Sequence, residues 1–555
     1  MKDNKDKIKE NNLLYVGLIT LVWLITYIVC NIVWKEKLGW DEVAYMSVAK
    51  GIATDFDFSA RAYTIMGLLK HGYPTNLINF PIYPIYLAIF FKLFGASMYV
   101  AYFSTWLCAL AVCLLIYFIF LMLSDNDYKT SFIASLSYLL CPGTIRNCDT
   151  AMMEQAGCLL LCLFLFLILR DYLKGSFNYL TILKFSVFFL LLWLYKSLFL
   201  GIFFGAFIFI CLAYNSRLTG KKINTKIPLI VFLLLSYSLF VILFYIAKKF
   251  VFLAVSPMLT FTPNLEYSQV YASFSEALLK DFPKNIFANI YYFFQIIIAP
   301  FFVYPNLYSP KASAVLPFTS YMVYVGVYFF LFFMMIALSF AAWKKLSPIE
   351  KLFLCFTFVS IIGFNLVFNF LFSTTIENVW RYNVYYLPLY LCSLLITLKS
   401  NYEYLKPFNN DHPVSSKALL FLIFIFCYLP ISLSMINIQS SFWDAYHNRA
   451  KMNTEIVKSV VQNSKDGFIY FNDGTHVTWE MYPMKQIFKD ATNEQLLQVN
   501  QILPKPVEYL FLKSSDWLFK NNQDLILKGE SIINGEYKFL GVNNQAQLVV
   551  YKLNK

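Results

Sequence analysis

Ten ionisable side chains stand where apolar runs of this chain begin or end, and their types could do chemistry. They are Asp41 and Glu42 in WDEVAY; Arg146, Asp149 and Glu154 in TIRNCDTAMMEQ; Lys196 in WLYKSLFLG; Lys248 and Lys249; and Glu377 and Arg381 in TIENVWRYNVYYLPLY. A charge at the edge of a membrane span is costly, and such groups pair with one another or line an aqueous cavity. In a cavity, carboxylates can take up protons and cations can hold phosphate. Plainer readings stand beside these. Asp41 and Glu42 could be a solvated loop start, and Lys196 could snorkel to the interface. Arg381 could stack on Tyr382 or Trp380, and Arg146, Asp149 and Glu154 could form a local ion pair. His71, His412, His447 and His476 are scattered, without a metal-ligand spacing such as HExxH, so no metal ligand is assigned.

Composition says what must position these side chains. Of 555 residues, 59% are hydrophobic and 14% charged, with 58 Phe, 40 Tyr and a mean hydropathy of +0.58. That is well above the apolar share of soluble domains. Several runs reach the ~20 apolar residues of a spanning helix, without the alternation of an outer-membrane barrel. The fold class is therefore an α-helical polytopic membrane protein. LLYVGLITLVWLITYIVCNIVW (13–34) is too long for a signal-peptide core and has no small-residue cleavage site after it, so it reads as a retained first helix. Further spans are expected near 97–122, 130–145, 151–169, 178–195, 197–214, 227–247, 316–343, 349–372, 384–398 and 417–437, about eleven transmembrane helices in all. With a cytoplasmic N-terminus, the basic loops at Lys129, Arg170 to Lys174, Arg217 to Lys226, Lys344 to Lys351 and Lys399 to Lys417 all fall inside. The acidic pair and everything after residue 437 then fall outside.

Two outer loops are long, as functional loops tend to be. The first, 35–96, holds EVAYMSVAKGIA, expected as a short helix, and PIYPIYLAIFFKLFG (81–95), Pro-punctuated and short for a span, expected as an interfacial helix. The second, 248–315, holds NIYYFFQIIIAPFFVYPN (289–306), expected at the interface too. The chain divides at 437/438. In the second part GFIYFN (467–472), VEYLFL (507–512) and the pair YKFLGV and QLVVYKL look like strands, with helices near 447–463 and 492–502. These predict a small soluble extracytoplasmic α/β domain. None of the 11 cysteines follows Cys427 and all lie in or beside apolar segments, which reads as packing without a disulfide framework. Residues 440–555 hold 13 Lys/Arg against 12 Asp/Glu, so nearly all of the +13 net charge belongs to the membrane part. That excess serves orientation and phosphate binding, and nucleic acid is discounted as a partner.

The order of these pieces resembles the GT-C superfamily of membrane glycosyltransferases, which includes protein O-mannosyltransferases and the lipid A aminoarabinose transferase. Five features carry the resemblance over residues 13–400. They are WDEVAY after the first span; PIYPIYLAIFFKLFG; the IRNCDTAMME hairpin before a long Leu/Phe span; LYKSLFLG; and the late RYxxxYLPLY. Two positions depart from the aminoarabinose transferase, Ala44 and Phe80, where that relative carries basic residues, so its donor is not carried over. The resemblance implies an inverting enzyme that moves a sugar from a polyprenyl-phosphate donor to an envelope lipid, glycan or protein. Asp41 would accept the acceptor's proton. Lys196 and Arg381 would hold the leaving phosphate, Arg381 as a bidentate fork. Asp149 or Glu154 would orient the sugar or the base. Glu42 would hydrogen-bond the sugar or bind a divalent metal, although no cofactor is required. Tyr45, one helical turn after Asp41, would face the same cavity, with Arg146 and Tyr382 among the substrate-binding residues.

Two other classes share these features. A transporter or flippase of lipid-linked sugars also buries charges, but it commonly shows two related halves and short outer loops. This chain shows no repeat, and its outer loops are long. A polysaccharide polymerase or ligase with a diphosphate-linked donor shares the lipid carrier. The acidic pair in the first outer loop favours the GT-C reading, with a multi-pass protein of the inner (cytoplasmic) membrane in contact with membrane lipids.

Overall fold

The computed structural model describes residues 2–33, 40–58, 61–71, 82–124, 126–148, 150–175, 177–195, 199–214, 227–247, 336–371, 384–401, 452–461, 467–472, 479, 481–488, 490–543 and 547–554. Most of it is a helical bundle. Its first ten helices are α1 (Lys2–Val33), α2 (Trp40–Asp55), α3 (Ile65–His71), α4 (Ile82–Phe94), α5 (Met98–Leu123), α6 (Tyr128–Leu139), α7 (Pro142–Cys148), α8 (Glu154–Leu173), α9 (Tyr179–Tyr195) and α10 (Leu200–Tyr214). Helices Leu229–Ala247, Pro348–Leu371 and Leu387–Ser400 follow. Among the described residues four helical stretches are long and apolar enough to cross a membrane: Asn11–Asn31, Met98–Leu123, Glu154–Leu173 and Leu229–Ile246. The mostly helical, multi-span character expected from composition is present. The spans expected near 316–343 and 417–437 lie outside the described residues, save a helical piece at 336–342.

Two expectations change in detail. The span placed at 130–145 is two pieces, α6 and α7, because Pro142 lacks the N–H needed to continue a helix. The last described apolar helix starts at Leu387, after a 3₁₀ turn at Val384–Tyr386, with Pro388 in its first turn. Helix α4 matches its expected place. Thirteen residues span only ~20 Å, short of a ~30 Å hydrocarbon core.

Aromatic and amide contacts fix the directions of the helices. The Trp23 indole donates to the Trp106 carbonyl at 2.8 Å, and the Tyr117 hydroxyl donates to Asn12 at 3.0 Å, so α1 runs antiparallel to α5. Phe118 meets Phe166 at 6.5 Å where α5 runs beside α8, and Phe164 packs edge-on to Phe185 at 5.5 Å between α8 and α9. Helix α10 packs against Pro348–Leu371 through small residues. A Cβ on Gly205 would overlap the Ser360 hydroxyl, and Gly363 faces Gly201. Such close backbone approach is how helices associate where lipid removes the hydrophobic drive.

Outside the bundle stands one six-stranded sheet. Its strands are β1 (Ala62–Thr64), β2 (Phe468–Phe471), β3 (Lys485–Phe488), β4 (Val507–Lys513), β5 (Tyr537–Asn543) and β6 (Leu548–Leu553), in the order β1-β3-β2-β4-β6-β5. β2, β4 and the β5–β6 hairpin fall where the sequence placed strands. Two strands do not. β3 went unread, and β1 comes from the first long loop, pairing parallel with β3 so that Tyr63 lies opposite Ile487. The sheet is therefore not built from the C-terminal residues alone. One face packs Tyr470, Leu510 and Tyr551 against Ile65 and Leu68 of α3 and Leu496 and Val499 of helix Asn493–Ile502. The other packs Ile469, Phe471 and Phe511 against Val457 and Val461 of the helix at 452–461. The boundary drawn at 437/438 lies outside the described residues.

Candidate active site

At one end of the bundle four elements converge on the first turn of α8. Glu42 is buried in the first turn of α2. Tyr45, three residues on, donates its hydroxyl to the Met153 sulfur at 3.2 Å and sets its ring edge-on to Tyr83 of α4 at 5.4 Å. Met153 immediately precedes Glu154, which opens α8 and is fully buried. A carboxylate there faces the positive end of the helix dipole. From the last residue of α9, the Tyr195 hydroxyl donates to the Met153 carbonyl. Tyr385, in the turn before Leu387–Ser400, lies against Gly157, where a Cβ would overlap its ring, and packs edge-on to Phe199 at 4.9 Å. The Tyr83 and Tyr195 phenols are both within electrostatic reach of Glu154.

A second set of bonds braces this corner. The Tyr138 hydroxyl donates to Gln155 Oε1 at 2.6 Å, and Gln155 Nε2 donates to the Thr144 carbonyl at 3.3 Å. These tie α6 and α7 to the first turn of α8. Buried polar groups bonded on both sides specify one arrangement of the elements that carry them.

Of the residues the sequence singled out, the structure sets Tyr45 against Met153, the neighbour of Glu154, and buries Glu42 three residues before Tyr45 on α2. Asp41 lies in the first turn of α2 and Arg146 lies in α7, but the side chains of both fall outside the described residues. Asp149, Lys196, Arg381 and Tyr382 also lie outside the described residues, as do Lys248, Lys249 and Glu377. Lys196 follows Tyr195 directly in the chain, and Arg381 and Tyr382 stand just before the turn that holds Tyr385. Sequence reasoning missed Tyr83, Met153, Gln155, Tyr195 and Tyr385. Their only signal was a polar atom set inside an apolar run. Among the described residues no three His, Cys, Asp or Glu side chains come together to hold a metal ion.

The opposite end of the bundle is built differently. Asp171, in the last turn of α8, accepts from Lys184 Nζ at 2.7 and 3.0 Å and from the Thr181 hydroxyl at 3.0 Å. Lys399 Nζ donates to the Ser124 carbonyl at 3.3 Å and the Asn401 amide to the Leu338 carbonyl at 2.8 Å. Here cations and amides close helix ends.

No family model matches the sequence. No curated protein matches it either. Solved structures do. The chain is similar to ArnT from Cupriavidus metallidurans bound to undecaprenyl phosphate, with a TM-score of 0.54 and 12% identity over 97% of both chains. It is similar to the apo state of the same protein, with a TM-score of 0.50 and 12% identity over 97% of both chains. An oligosaccharyltransferase from Archaeoglobus fulgidus, solved with Zn and sulfate, aligns at a TM-score of 0.47 and 11% identity, over 96% of this chain and 73% of its own.

Proposed function

From the GT-C fold as premise, we propose that this chain is a membrane glycosyltransferase that moves a sugar from a polyprenyl-phosphate donor to an envelope lipid, glycan or protein. The convergence of Tyr45, Glu154, Tyr195 and Tyr385 at one bundle end supports it, because it sets a buried acid beside the helix that carries Asp41 and Glu42. The reaction is an inverting displacement. The acceptor hydroxyl attacks the anomeric carbon, the bond from that carbon to the phosphate oxygen breaks, and polyprenyl phosphate departs. Asp41 takes the hydroxyl proton as general base. Lys196 and Arg381 hold the charge of the leaving phosphate, which needs cations more than it needs an acid. Glu154 and Asp149 orient the sugar or the base, with Glu42, Tyr45, Arg146 and Tyr382 around them. Glu42 is also the place for a divalent ion, should one take part.

The protein then sits as a multi-pass protein in the cytoplasmic membrane, with this end outward and the basic loops inward. The donor enters from the bilayer and the acceptor from outside. Incubation of purified protein in vesicles with a set of polyprenyl-phosphate sugars and envelope acceptors, followed by mass spectrometry, tests the reading. The wild type yields a glycosylated acceptor, and Asp41→Asn lowers the rate by about 10²–10⁴-fold. Wild-type rate in Asp41→Asn overturns the base assignment. Movement of lipid-linked sugar across the bilayer without any product establishes a flippase instead.

A further inference from the structure

The sheet lobe grips the helix that carries the acidic pair. Trp479, between β2 and β3, is 5% exposed and belongs to the apolar core of the bundle rather than to that of its own sheet. Lys50 Nζ of α2 lies 4.9 Å from the centre of its ring and donates to its carbonyl at 3.1 Å. Phe91 of α4 packs on the same ring at 5.6 Å. One residue of the lobe thus touches both α2 and α4.

A second grip forms around Arg61, the residue before β1. Its guanidinium, 3% exposed, pairs with Asp57 at 2.7 Å, donates to the Pro483 carbonyl at 3.3 Å and lies over the Tyr482 ring at 4.4 Å. The Tyr482 hydroxyl donates to Asp55, the last residue of α2. Burial, and the carboxylate that this hydroxyl meets, push it up to about 12, so it stays a donor at neutral pH. Gly51 leaves room for the arrangement. A Cβ there would stand 2.8 Å from both Arg61 Nη2 and the Asp57 carbonyl oxygen.

We propose that Trp479 and Arg61 are positioning residues, which hold the last turns of α2 on the sheet lobe and so set where its first turn places Asp41, Glu42 and Tyr45. A helix held at one end acts as a lever. Over the ~24 Å of α2, a tilt of about 5° moves the first turn by ~2 Å. Misplacement by 1 Å can cost about 10²-fold in rate.

The kinetic arm of the test rests on the transferase reading, and the structural arm does not. Full-length wild type, Trp479→Ala and Trp479→Phe are compared in lipid nanodiscs by kcat and KM for a polyprenyl-phosphate sugar, and by amide hydrogen exchange over residues 40–55. Trp479→Ala should lower kcat about tenfold or more, leave the donor KM within about threefold, and speed exchange in α2. Trp479→Phe should recover both. Trp517→Ala, on an exposed part of the same lobe, should change neither. Wild-type kcat in Trp479→Ala overturns the proposal, whatever the exchange shows. If the wild type transfers no sugar, the transferase reading falls, and exchange in α2 alone decides the grip: faster in Trp479→Ala supports it, unchanged overturns it. Should Trp479→Ala fail to fold, Arg61→Lys and Lys50→Gln take its place with the same two measurements and the same deciding outcomes.

Discussion

The two ends of α8 each bury a carboxylate, and the described side chains near the two differ. At Asp171 a lysine and a threonine hydroxyl converge on the carboxylate oxygens, and the group is spent on closing a helix hairpin. At Glu154 the phenols of Tyr83 and Tyr195 lie within electrostatic reach, while Tyr45 and Tyr385 pack on the adjoining Met153 and Gly157. A carboxylate clamped by a cation ties down backbone and exchanges nothing. The one beside phenols, in the proposed function, orients the sugar or the base. Under the proposed function, the first of these two buried acids serves structure and the second serves the site.

Breaking each partnership separately tests that contrast. Lys184→Met leaves Asp171 buried without its cation. It should lower the stability of the purified protein by about 3 kcal/mol, read as a fall in the thermal midpoint, while turnover per folded molecule stays near wild type. Glu154→Gln keeps the shape and removes the charge. It should lower kcat/KM about 10- to 100-fold with a thermal midpoint within a few degrees of wild type. If Glu154→Gln instead melts the protein and spares turnover, the two ends are alike and the contrast fails.

A third buried acid sharpens the comparison with the smallest effect. Asp516 in the sheet lobe accepts from Asn472 at 3.0 Å and from the Lys513 backbone N–H at 2.8 Å, and burial pushes its carboxyl above the ordinary range. The folded state therefore holds this proton more tightly than the unfolded chain. Its contribution is present in full below the ordinary carboxylate pKa and is lost as pH rises through the raised value. The thermal midpoint of the wild type relative to Asp516→Asn should rise as pH is lowered from 7 toward about 4, the smallest of the three effects. A difference that stays flat with pH would place Asp516 outside this class.

Much of the architecture was legible because it is local. The apolar runs became α5, α8 and Leu229–Ala247 within a few residues of their expected bounds, and α1, which begins at Lys2 rather than near 13, carries its apolar stretch at Asn11–Asn31. WDEVAYMSVAKG formed a helix, and the Asn-rich break at 543–546 separated two strands that pair. What escaped depends on partners far away in sequence. AYT at 62–64 is three residues long and becomes a strand only because Gln486, Ile487 and Phe488 lie beside it. KQIF at 485–488 begins with a lysine and lacks a clean alternation, so nothing local marks it. Tyr83, Tyr195 and Tyr385 read as ordinary members of aromatic belts. Their convergence near the first turn of α8 follows from helix packing, which no single segment encodes. Charges at helix ends were legible as candidates, since a membrane span tolerates few without a reason.

That β1 waits for β3 has a consequence for how the chain is made. At about 5–20 residues per second, β1 is finished roughly 20–85 s before its partner exists. Until then the loop that bears Arg61 and Asp57 has nothing to dock on, and Trp479 has not been synthesised to seat against Lys50. Until the sheet closes, the last turns of α2 rest on α4, where Lys92 Nζ donates to the Ala53 carbonyl at 3.3 Å. A chain cut short before β3 would carry Asp41 and Glu42 on a helix that lacks the Trp479 and Tyr482 contacts, so under the proposed grip the acidic pair gains its fixed place last, although it is among the first residues translated.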